Sequence, residues 1–120
     1  MIDINIYLDE AKKAVAMRDA LLKLKKNREF KKIFEEGYFK DEAARLARAI
    51  ANYEMQDEIN QRALDEQFRA IGHVQNYMLT IIQAGNNMEA LIEEHEERLR
   101  EEAKETVIDD ITGEEIILED

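Results

Sequence analysis

The residues with the most chemical capacity lie in "MEALIEEHEERLREE" (88–102), where Glu93, Glu94, Glu96 and Glu97 surround His95. Carboxylates and an imidazole can ligate a metal, and four-helix di-iron sites do so with Glu-x-x-His on two helices plus two further inward glutamates. The spacing here does not fit. The residue three before His95 is Ile92, and three before His73 stands Ala70. His95 falls on an apolar stripe between Ile92 and Leu99, while the four glutamates lie to its sides and back. A histidine at a helix interface beside a solvated acidic face accounts for the stretch without a metal or a pH-sensing role. No cofactor is expected.

Catalysis finds no other foothold. The chain has no cysteine, no Gly-rich phosphate loop and no Ser-centred elbow. His73 and His95 are 22 residues apart, which on one helix separates them by roughly 33 Å. The protein is therefore read as a non-enzyme. The basic stretch "KLKKNREFKK" with Phe30 could meet nucleic acid, but it reads more simply as the solvated face of two amphipathic helices. Direct nucleic-acid binding is disfavoured because the whole chain carries a formal charge of −11 and phosphates would repel it. Conversely, Glu93, Glu94, Glu96, Glu97, Glu101 and Glu102 could imitate the charge of nucleic acid and block a DNA-binding host enzyme.

The charge is unevenly placed. Between Lys12 and Lys32 nine Lys or Arg face two acids, a net +7, and between Met88 and Asp120 fourteen acids face three bases, a net −11. Such a chain can attract a copy of itself head to tail or fold its basic segment onto its acidic one. With 120 residues it forms one domain at most. The absence of cysteine points to a fold without staples in a reducing compartment. No signal peptide or membrane span is legible, so the expected setting is intracellular: host cytoplasm or virion.

The elements that must carry these residues are helical, since the chain has no proline and only four glycines. Ile2, Ile4 and Ile6 alternate with the period of a short strand. From Leu8 the spacing changes to three and four (Leu8, Ala11, Ala14, Val15, Met17, Leu21, Leu22, Leu24), which marks a first helix over 8–27. Asn27 caps a second over 28–36 that gathers Phe30, Ile33 and Phe34, with Gly37 as its left-handed stop. Asp41 opens a third over 41–52 burying Ala44, Leu46, Ala47 and Ile50, and a helix over 57–104 follows, the residues themselves marking the turn at 52–57 only weakly. Within that last helix Gly85, Asn86 and Glu89 could form a stop and a new capping box. The stripe keeps its phase across Gly85, however, so the helix is read as continuous or merely kinked.

The stretches "FKKIFEEGYFKDEAARLARAIAN" and "AIGHVQNYMLTIIQAGNNMEALIEEHEERL" resemble a group of small, acidic, helical proteins of tailed bacteriophages, encoded among virion-assembly genes. The resemblance covers about residues 20–104 and leaves the isoleucine-rich ends aside. It implies a setting, phage-particle assembly or an infected cytoplasm, and assigns no functional residue.

The reading is an all-α helical hairpin, coiled-coil-like, with a helical domain over 1–105 and an acidic tail or short β-hairpin over 106–120. The stripe Phe68, Ile71, Val74, Met78, Ile81, Met88, Ile92 and Leu99 has coiled-coil rhythm. Its methionines and aromatics read as core rather than a ligand groove. Its far half is left uncovered by the chain, so a second copy is expected to cover it. Ile108, Ile111, Ile116, Ile117 and Leu118 flank a "TG" turn and would dock the tail on a larger protein partner. The expected function is a non-enzymatic assembly or adaptor protein of a phage particle, with the acidic inhibitor as the alternative.

Overall fold

The computed structural model describes residues 4–112, with side chains described as far as Glu105. The chain is an all-α hairpin. A first helix α1 (Ile4–Lys25) is followed by one turn of helix α2 (Arg28–Phe30), a π-helical segment (Lys31–Glu42), helix α3 (Ala43–Ala51), a 3-10 turn (Tyr53–Met55) and a single long helix α4 (Glu58–Thr112). No strand occurs among the described residues. Helix α4 has 55 residues, about 82 Å of helix, and sets the longest dimension of a molecule measuring 86 × 35 × 22 Å.

Two packing units hold the hairpin together. At the turn end, Leu46 of α3 is wholly buried against Leu64 and Ile71 of α4, with Tyr38, Phe39, Ala43, Ala49, Ile50 and Met55 closing round them. Along the rod, α1 lies antiparallel on α4 as the most extensive helix contact in the chain. Arg18 sits at Gly85, Asn86 and Glu89, while Lys25 sits nearer the turn at Gln75, Met78 and Ile82.

Capping residues fix the connections. The Asn27 side chain accepts the Phe30 amide at 2.9 Å, as its sequence position foretold. Between α3 and α4, Asn52 Oδ1 accepts the Glu54 amide at 2.9 Å. Gln61 Nε2 donates to the carbonyls of Ile50 at 3.0 Å and Met55 at 2.9 Å, tying the turn to α4. Asp57 caps α4, taking the Asn60 amide at 3.0 Å and its side-chain amide at 2.7 Å. These bonds hold the Asp57 carboxyl below the usual carboxylate range, the Asn60 side chain contributing most.

Several expectations are corrected. The strand assigned to the N-terminus is helix from Ile4 onward, and Ile2 lies outside the described residues. Alternation over three isoleucines is too short to outweigh helix propagation, and on α1 both Ile4 and Ile6 are exposed. Gly37 does not stop a helix, and Asp41 does not start one, because both lie within the π-helical segment. The glycine serves a different purpose there. A Cβ on Gly37 would come within 3.1 Å of the Lys32 carbonyl, the oxygen five residues back that π-type bonding brings close. Phe30, Phe34, Tyr38 and Phe39 contact one another through this segment, Phe30 and Phe34 stacking at 5.1 Å and Tyr38 and Phe39 meeting at 5.7 Å. Ala44 and Ala47, read as buried, are exposed on α3.

Helix α4 crosses Gly85 without a break, so the capping box of Asn86 and Glu89 does not form. It also continues through Thr112, so the backbone of Val107, Ile108 and Ile111 is helical where a first hairpin strand was expected. Ile116, Ile117 and Leu118 lie outside the described residues.

Candidate functional site

The stripe of α4 is divided by the fold rather than left whole. Ile71 is 3% exposed and belongs to the core with Leu46 and Leu64, so it is not available to a second copy. Val74, Met78, Ile81, Met88 and Ile92 are half-buried. Helix α1 runs over this half of α4, which is the covering that the sequence had not assigned to the chain itself. Phe68 and Leu99, at 41% and 50% exposed, are the two members of the stripe left open to solvent. The chain exposes other large apolar side chains too, among them Met17, Leu22, Leu24, Ile33, Tyr77 and Leu79.

Arg18 and Gly85 form the joint between the two long helices, and sequence reasoning missed their pairing. Arg18 is 8% exposed on the buried face of α1, between Ala11 and Leu21. Its Nη1 donates to Glu89 Oε1 at 2.6 Å and to Asn86 Oδ1 at 2.8 Å. Nε and Nη2 donate to Asp19 Oδ1 at 3.0 and 2.8 Å. A charge so enclosed needs this full set of acceptors. The hydrogen bond to Glu89, then that to Asp19, raises the guanidinium pKa further and keeps it charged. Gly85 makes the approach feasible: a Cβ there would collide with the Arg18 Cβ and lie 2.8 and 2.9 Å from its Cδ and Cγ. The signal was present as two interruptions, an arginine on the α1 stripe and a glycine on the α4 stripe.

The acidic side chains Glu93, Glu94, Glu96, Glu97, Glu101 and Glu102 are all exposed on the distal third of α4, and His95 is half-buried among them. Arg98 approaches Glu94 at 3.9 Å, one turn away. Among the described residues no three His, Cys, Asp or Glu side chains gather where they could hold a metal. No helix among these residues is long and apolar enough to cross a membrane.

A groove opens where the end of α1, the π-helical segment and α4 meet. Phe39, Met78, Leu79 and Ile82 form its apolar part, and Lys25, Glu35 and Gln75 complete its lining. Leu79, at 50% exposed, presents its side chain outward. The geometry defines an elongated helical hairpin with exposed apolar side chains and one strongly acidic end. No protein family model, curated protein or solved structure matches the chain.

Proposed function

We propose that this chain is a non-enzymatic assembly or adaptor protein of a tailed-phage particle, acting as an oligomer and binding a larger protein partner through its helical faces and its C-terminal tail. The observation that carries the reading is surface. The chain exposes 9409 Å², where a compact monomer of 14.1 kDa exposes roughly 6,700 Å². Its radius of gyration is 25.3 Å, against about 14 Å for a compact domain of this length. The difference in area exceeds the about 800 Å² that one partner contributes to a standard interface. Apolar side chains such as Phe68, Leu79 and Leu99 stand on that surface.

Light scattering after size exclusion, at low and at high salt, tests the reading. A defined oligomer that persists at high salt is expected, because burial of apolar area is not screened as charge is. A monomer at both salts would remove the assembly role. Phe68→Glu and Leu99→Glu alter exposed residues only, so loss of the oligomer with helix content unchanged would locate the contact.

A second reading is favoured by one observation, the exposure of all six glutamates at the end of α4. In that reading the acidic end occupies the basic nucleic-acid channel of a host enzyme.

A further inference from the structure

We infer that the groove lined by Lys25, Phe39, Met78, Leu79 and Ile82 receives the C-terminal segment "GEEIILED" (113–120) of a second copy, so that copies join head to tail. This rests on the proposed reading that the tail is a docking element, and it names the receptor. The groove offers an apolar floor with a lysine at its margin, and helix α1 carries Lys23 and Lys25 in its last turn. Across 12–32 the surrounding chain has nine bases against two acids. Neither Lys25 nor Glu35 enters an ion pair among the described residues, so the lysine can still take up a carboxylate. The segment has the complementary composition: Ile116, Ile117 and Leu118 in a row, flanked by Glu114, Glu115, Glu119 and Asp120. Three adjacent apolar side chains match a groove with several apolar positions, and the flanking acids match its basic margin. Glu35 opposes the charge term, which leaves apolar burial as the larger part of the affinity.

Reach excludes the same molecule as the source. Helix α4 is continuous from Ile82 to Thr112, which places Thr112 about 45 Å along the rod from the groove. Ile116 lies four residues further on, and four extended residues span at most about 14 Å. The tail of one chain therefore meets only the groove of another. Donor and acceptor are different surfaces, so the contact is heterologous and repeats into an open chain or closes into a ring.

Two variants and their mixture test this. Leu79→Glu places a charge in the groove at a half-exposed position, and Ile116→Glu/Ile117→Glu disables the tail; circular dichroism checks that each keeps its helix content. Each variant alone should lose the head-to-tail assembly in light scattering. An equimolar mixture should recover a one-to-one dimer, because it contains one working groove and one working tail. If both variants keep the parent's mass, copies join elsewhere, and the groove proposal falls while the assembly reading stands. If only Leu79→Glu dissociates the assembly, the groove meets a face of its neighbour and not the tail, which also overturns the proposal. A parent monomeric at every concentration defeats the assembly reading itself. The groove is then judged by a fluorescein-labelled peptide of residues 111–120 added to the full chain. Saturable binding weakened at least tenfold by Leu79→Glu sustains it. Binding equalled by a scrambled peptide of the same composition, or no binding, overturns it.

Discussion

At the scale of single residues, two glycines of one helix have opposite meanings. Gly72 and Gly85 both lie inside α4, and an interior glycine lowers helix stability by about 1 kcal/mol relative to alanine. A Cβ at Gly72 would meet nothing within 4 Å, whereas one at Gly85 would strike the Arg18 side chain near its root. The Arg18 Cβ cannot swing aside as a chain end would, so α1 and α4 would have to separate. Gly72→Ala should therefore raise stability by about 1 kcal/mol. Gly85→Ala should lower it, since overpacking of roughly 1–3 kcal/mol outweighs the propensity gain. Thermal melts of the two variants check this, and a rise for both would show that α1 does not lie against Gly85. The phase of the stripe had indicated that Gly85 is helical. Why it is glycine was not legible, because the reason lies on a helix 67 residues away in sequence, at Arg18.

At the scale of elements, the sequence declared most of its helices and misjudged their joints. Asn27 announced a helix start through chemistry local to the chain, and its cap formed; the Asp57 cap of α4 was not read from the sequence, which placed only the end of a turn there. Asn27→Ala should lower stability by about 1 kcal/mol. Asp57 adds a pH dependence with a definite sign. Its carboxyl titrates below its ordinary value in the fold, so its contribution is complete above the unfolded value, about 3.9. That contribution is lost as the pH falls through the lower folded value. Melting midpoints of the parent and Asp57→Asn should differ at neutral pH and converge on acidification below about pH 4. A difference that widened in acid would contradict the capping geometry. By contrast, Gly37 and Asp41 carry the usual residue types of a stop and a start, yet the helix runs through both. Contacts among Phe30, Phe34, Tyr38 and Phe39 hold the chain in π-type geometry there, and aromatic pairs of about 0.5–1.5 kcal/mol each can outweigh local turn preferences. Ile4 and Ile6 failed as a strand for the complementary reason, since no strand among the described residues offers them a sheet edge. Ile71 was legible as apolar, but its removal from the stripe depended on Leu46 folding back over it.

At the scale of the whole molecule, antiparallel packing places the charge blocks in a definite order along the rod. The basic stretch at the end of α1 lies beside the middle of α4, near Gln75, Met78 and Ile82, and the glutamates of 93–102 occupy the distal third. The +7 segment thus meets the −11 segment only at its near edge, through Arg18 and Glu89, and most of the charge of both blocks stays apart along the rod. The two candidate roles use this polarity differently, and reversing it separates them. Replacing Glu93, Glu94, Glu96, Glu97, Glu101 and Glu102 with lysine changes exposed positions only. An adaptor anchored by apolar contacts keeps its oligomer at high salt after this change, because its association rests on buried area, and its partner affinity falls only modestly. An inhibitor working through the acidic end loses its effect altogether, since the reversed surface repels a basic channel. Persistence of the oligomer in light scattering at high salt is the expected result, and dissociation would transfer the weight of the interpretation to charge mimicry.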